Sequence, residues 1–154
     1  MTEWNLPWKA ACRCRRVELS ITEAPIVTMA CHCTGCQQMT ASAFSLSATI
    51  PATGFAVTKG EPVIGALHGA SKHYFCDYCK SWMFTQPDGL AAFVNVRSPL
   101  IEGHADLEPF VETMTDQKMA WATTPAKHSY ATYPAPESYP QLMAEFAEAF
   151  RSRA

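Results

Sequence analysis

The residues of this chain best suited to chemistry are its sulfurs. Cys31-His-Cys33-Thr-Gly-Cys36 places three thiols within six residues, and the other four cysteines form the pairs Cys12-Arg-Cys14 and Cys76-Asp-Tyr-Cys79. None stands alone, whereas a structural cysteine is usually a single small hydrophobe among apolar neighbours. Seven is an odd number, so complete internal disulfide pairing is impossible. Metal ligation is the natural use of such clusters: thiolate-rich tetrahedral sites select Zn2+ or iron-sulfur clusters, and short knuckle-like pairs favour zinc. Spacing alone leaves iron-sulfur open as the competitor. A thioredoxin-type role for Cys76 and Cys79 would need a βαβ context, and this pair lies between strand candidates.

The ligands can be partitioned. A triplet this compact can bring three sulfurs to one ion, while two pairs complete a four-thiolate site. Cys12, Cys14, Cys76 and Cys79 would then form a closed structural centre that staples the N-terminal segment to the middle of the chain. Cys31, Cys33 and Cys36 would leave a fourth position open, which is how catalytic zinc sites are built. His32 is the candidate to close it, but its place between two ligands hinders its reach to the same ion. A divalent ion with three thiolates carries one net negative charge, so it is a poor Lewis acid and poorly suited to generating hydroxide. A thiol bound there would instead lose its proton and become reactive. Its reaction would be addition to a small electrophilic carbonyl, or the reverse cleavage of a carbon-sulfur bond. The alternatives from other classes are a non-enzymatic zinc-stabilised binding module and a redox sensor that releases metal on oxidation.

Strands must position these sulfurs. Val17, Leu19 and Ile21 alternate with polar residues, and so do Phe44, Leu46, Ala48 and Ile50, which predicts a half-buried strand ended by Pro51. Further strands are predicted at 55–58, 63–67, 72–75, 82–85 and 90–96, separated by Gly60, Gly69 and Pro87-Asp-Gly89. The one helix expected is C-terminal, where Leu142, Met143, Phe146, Ala149 and Phe150 recur at helical spacing as a core-facing stripe. Ser138 and Gln141 resemble a capping box, and Arg151 and Arg153 complement the helix dipole. The Pro, Thr and Tyr-rich stretch 122–140 predicts an ordered excursion over the surface.

The 154 residues suit one zinc-binding domain, 1–154, of mainly β class. Hydrophobic residues make up 48% and charged ones 17%, and no apolar run approaches a membrane span. With 12 Lys+Arg against 14 Asp+Glu there is no general attraction to nucleic acid or membrane. The basic cluster Arg13, Arg15, Arg16 is expected on a solvated strand face, or offsetting thiolate charge. The N-terminus resembles no signal peptide, which points to the cytoplasm and reduced thiols.

In Cys12-Arg-Cys14, Cys31-His-Cys33-Thr-Gly-Cys36, the stretch 55–60 and Tyr74-Phe-Cys76-Asp-Tyr-Cys79-Lys-Ser81, the chain resembles the glutathione-dependent formaldehyde-activating enzyme family, relatives of centromere protein V. The resemblance implies a β-tent fold with zinc-stapled loops, two zinc ions, a structural role for Cys12, Cys14, Cys76 and Cys79, and a catalytic one for Cys31, Cys33 and Cys36. It also implies condensation of formaldehyde with glutathione, a carbon-sulfur lyase reaction in reverse, so the expected partners are a small thiol and a small aldehyde. Three departures bear on this. Gln37 and Gln38 stand where relatives often carry basic residues, removing partners for the carboxylates of glutathione. Arg15 and Lys80 replace glycines, which predicts a backbone without positive φ there. Lys72, His73, Arg97 and Lys127 are the remaining cations for clamping an anionic thiol. Phe44 and Trp82 lie near the clusters in sequence and are expected to pack in the core.

Overall fold

The computed structural model describes residues 4–67, 69–104 and 107–151. Its elements are β1 (Trp8–Ala11), β2 (Glu18–Ile21), β3 (Val27–Cys31), α1 (Thr34–Thr40), β4 (Ser45–Pro51), β5 (Phe55–Lys59), β6 (Val63–Gly65), β7 (Lys72–Phe75), β8 (Trp82–Gln86), β9 (Phe93–Arg97), β10 (Val111–Thr113), β11 (His128–Ser129) and α2 (Tyr139–Arg151). The chain is mainly β with a C-terminal helix, as expected. Three strands form one sheet in the order β1-β2-β5, and eight form another in the order β11-β10-β3-β4-β9-β8-β7-β6. All pairings are antiparallel except β3 with β10 and β10 with β11.

Apolar alternation explains the core. Trp8 and Ala10 of β1, Leu19 and Ile21 of β2, Ala48 and Ile50 of β4, Met83 of β8 and Val94 and Val96 of β9 form one buried cluster that joins the two sheets. Each large side chain buried this fully contributes roughly 1.5–3 kcal/mol. Leu142 and Phe146 of α2 pack with Val27, Phe110 and Val111, so the predicted helical stripe is core. That helix grows directly out of a 3-10 turn, Pro136–Ser138, and Gln141 donates forward to Glu145. Arg153 lies outside the described residues.

Several expectations need correction. Strand β4 is buried on both faces: Ser45, Ser47 and Thr49 are as sheltered as Ala48 and Ile50, because the polar face turns inward rather than to water. The predicted strand 90–96 begins at Phe93, since Leu90 to Ala92 are spent on the turn after Gly89. A helix, α1, was not expected. At seven residues, with no apolar repeat, it is too short to leave a periodic signature. Arg13, Arg15 and Arg16 lie on a turn and not a strand face; Arg15 pairs with Glu102, and Arg16 stacks 3.5 Å over the Tyr78 ring. The excursion 122–140 is held to the body by backbone bonds, Met114 donating to Thr132 and Thr115 to Tyr130.

Candidate metal centres

Two turns build the first centre. Arg15 donates its N–H to the Cys12 carbonyl at 2.9 Å, and Lys80 donates to the Cys76 carbonyl at 3.0 Å. Each turn closes with a non-glycine residue in the left-handed region, Arg15 at φ 63° and Lys80 at φ 59°. The expectation of ordinary φ at these positions is therefore overturned. The turn geometry is kept although its usual glycine is not, at a cost of order 1 kcal/mol per residue. Arg13 N–H donates to Ser81 Oγ and ties the turns together.

The sulfurs of Cys12, Cys14, Cys76 and Cys79 lie within 4.8 Å of one another. Cys12 and Cys14 are 3.6 Å apart, and Cys14 and Cys76 3.7 Å. A tetrahedral ion with metal-sulfur bonds of about 2.3 Å requires sulfur separations of about 3.8 Å. A disulfide would require about 2.05 Å. The quartet has the dimensions of a four-thiolate metal site. Burial opposes ionisation of Cys79, but hydrogen bonds led by that of Ser81 Oγ outweigh it and hold the thiol at about 5.

The triplet is positioned by a strand-to-helix junction. Cys31 ends β3, Cys33 is the N-cap of α1, and Cys36 sits in the first helical turn. The Cys33 Sγ accepts the Cys36 N–H at 3.3 Å, the bond a Ser or Asp cap would make. All three sulfurs again lie within 4.8 Å of one another. Ser45, from the inward polar face of β4, donates to Cys36 Sγ at 3.2 Å. Trp82 packs on Cys33 and Cys36, with Met39, Phe75 and Met114 completing an apolar wall. Thr113 and Tyr133 lie near enough to Cys31 for their hydroxyl groups to bear on its ionisation, Thr113 favouring the thiolate.

Without a cation, three sulfurs so close cannot all ionise. Hydrogen bonds from Cys33 and Cys36 pull Cys31 down to about 2, and the bond with Cys31 pushes Cys36 far up. A divalent cation removes the conflict by taking all three as thiolates. The donor set thus suits a soft or borderline ion.

His32 does not join them. It is fully buried, its ring meets Phe44 edge-on, and Nε2 donates to Glu112 Oε2 at 2.9 Å. Among the described residues no histidine or carboxylate approaches either sulfur cluster as a further donor. Gln37 is also committed: its amide donates to the carbonyls of His32 and Gln117. Of the four clamp candidates, Lys127 lies away over Phe110, Lys72 is exposed, and His73 shares a hydrogen bond with Thr85 at 2.8 Å. Two candidates reach the wall of the triplet: His73 meets the Trp82 ring edge-on at 5.2 Å, and the Arg97 guanidinium is stacked over that ring at 3.8 Å. Ser45, Thr113 and Tyr133 were missed from sequence. The alternation of 44–50 marked the Ser45 face as polar, but gave no sign that a cluster of sulfurs would be its solvent.

The comparisons with known proteins follow this geometry. The family model described as glutathione-dependent formaldehyde-activating enzyme matches residues 7–117, which contain all seven cysteines. The chain belongs to the glutathione-dependent formaldehyde-activating enzyme family. A crystal structure of a Rhodobacter sphaeroides protein is similar, with a TM-score of 0.53 and 21% identity over 62% of this chain and 88% of that one, a likeness of fold. No curated protein matches. Tyr133, β11 and α2 lie beyond the residues that the family model matches.

Proposed function

We propose that this chain holds two zinc ions, a structural one at Cys12, Cys14, Cys76 and Cys79 and a working one at Cys31, Cys33 and Cys36. The working site takes a small, glutathione-like thiol and adds it to formaldehyde or a similar small carbonyl, or runs the reverse, a carbon-sulfur lyase of the S-(hydroxymethyl)glutathione synthase type acting in the cytoplasm. The observation that carries this reading is the three-sulfur centre with no fourth donor among the described residues, the one adjacent histidine being committed to Glu112.

Zinc held there would supply a position at which an incoming thiol is kept as a thiolate. The protein does the rest. Trp82, Phe75, Met39 and Met114 exclude water from one side, which favours addition over hydration of the carbonyl. Ser45 fixes the sulfur of Cys36, and Thr113 favours the thiolate of Cys31. Tyr133 brings a phenol to the exposed side; partial burial and the neighbouring sulfurs push its ionisation up, so it remains a proton donor. As sulfur bonds to carbon, the carbonyl π pair moves to oxygen, and in this reading the Tyr133 O–H protonates that oxygen, giving the hydroxymethyl thioether. The proton released by the incoming thiol balances the step.

Metal content per chain tests the assignment. Wild type is expected to hold about two ions, Cys36→Ser about one with the fold kept, and Cys76→Ser to lose the fold. Two tightly held ions in Cys36→Ser would overturn it.

A further inference from the structure

Arg97 is a buried cation without an ionic partner. It ends β9, opposite Ser47 of β4, and is 9% exposed. Its guanidinium carbon lies 3.8 Å over the Trp82 ring, which itself packs on Cys33 and Cys36. One terminal nitrogen donates to Thr85 Oγ1 at 2.8 Å; the Nε–H is buried and unpartnered, and among the described residues Arg97 makes no ion pair with a carboxylate. A charge buried this way is strongly unfavourable unless an anion answers it. Burial lowers Arg97 only to about 10, so it stays protonated at neutral pH. Once a cation holds the triplet as thiolates, the charges that answer it across the indole are those of Cys36, Cys31 and Cys33.

We propose that Arg97 is the counter-charge of the three-sulfur centre, offsetting the net negative charge that three thiolates leave on a divalent ion and thereby admitting a fourth, anionic sulfur. This rests on the reading that the triplet holds a metal and takes an external thiol. It assigns the guanidinium a positioning role through the indole. Because the group is buried, it does not act as a surface clamp for a ligand's carboxylate. The net charge of the site would otherwise reach two negative units when a thiolate joins three others on a divalent ion. In a medium less polar than water one compensating charge decides whether such a ligand binds.

The test compares wild type, Arg97→Met and Arg97→Lys in two titrations. Chelator competition reads the affinity of each zinc ion. Cobalt-loaded protein titrated with 2-mercaptoethanol, a thiol with no carboxylate, reads thiol entry through the sulfur-to-cobalt charge-transfer band. In Arg97→Met the weaker ion is expected to bind about 30-fold less tightly and the thiol at least about 10-fold less tightly, with the four-thiolate ion unchanged. Arg97→Lys, which keeps the charge and loses the stacked plane, is expected within about threefold of wild type in both. Wild-type affinities in a folded Arg97→Met overturn the proposal. So does an Arg97→Lys as impaired as Arg97→Met, which would make the role one of packing. Should Arg97→Met lose the four-thiolate ion as well, Arg97→Lys decides alone. A wild type that takes up a single ion removes the underlying reading, and a wild type with two ions and an unaffected Arg97→Met removes the counter-charge only.

Discussion

Tyr133 separates chemistry from metal holding most cleanly at the scale of single residues. Its side chain is 59% exposed, yet the neighbouring sulfurs of the triplet act on its phenol. Tyr133→Phe keeps the ring and removes the proton. Turnover of formaldehyde with glutathione, above the uncatalysed background, is expected to fall about 100-fold with metal content unchanged, the usual worth of a positioned acid. Unchanged turnover would remove Tyr133 from the reaction. Sequence could not have named it, because a tyrosine in a proline-rich stretch carries no spacing that ties it to a cysteine a hundred residues earlier. The cysteines were legible for the opposite reason: short-range spacing alone groups them, and the two sulfur sets in the structure match that grouping. Arg15 and Lys80 show where residue identity misleads. Positive φ at both positions is imposed by the turn that brings sulfurs together, and a side chain disfavouring that backbone is tolerated because the turn is held from both ends.

Elements explain what the residues cannot. Strand β4 reads as amphipathic, and its alternation is right, but its polar face is buried as well, Ser45 meeting Cys36 of α1 and Thr49 meeting Asn95 of β9. Alternation reports which residues share a face, not what covers that face. Strand β10 is similar: three residues give no periodic signal, yet Glu112 within it anchors the triplet from behind through His32, with Thr124, Ser129 and Lys118 completing its hydrogen bonds. Burial opposes ionisation of Glu112, but the bonds from Ser129, Thr124, His32 and Lys118 prevail and lower it from 4.5 to about 2. A depressed carboxyl stabilises the fold above its ordinary range and ceases to do so as pH falls through its folded value. The unfolding free energy of wild type is therefore expected to exceed that of Glu112→Gln by about 3 kcal/mol near neutrality. That gap should close as pH falls from 4.5 towards 2. A gap that stays constant across this range in denaturant titrations would show that Glu112 acts by packing alone.

At the scale of the molecule, the two sulfur centres divide the labour. The quartet joins the turn after β1 to the turn after β7, segments far apart in sequence that also contribute Cys12 and Cys76 to the core between the sheets. The triplet draws on one short segment, Cys31 to Cys36, walled by Trp82, Met39, Phe75 and Met114. Loss of the quartet should therefore be felt by the whole fold, and loss of the triplet only locally. The class of fold followed from alternating strands and one periodic helix. The order of the large sheet, in which β3 and β4 sit between β10 and β9, depends on long-range pairing that no local pattern records. Among the described residues no helix is long and apolar enough to cross a membrane.

The most direct test of an open three-sulfur centre is the cobalt-loaded protein titrated with glutathione. The sulfur-to-cobalt charge-transfer band is expected to grow and saturate at one added thiolate per chain, and to stay unchanged in Cys36→Ser. A wild-type spectrum indifferent to saturating thiol, with both ions bound, would contradict the account.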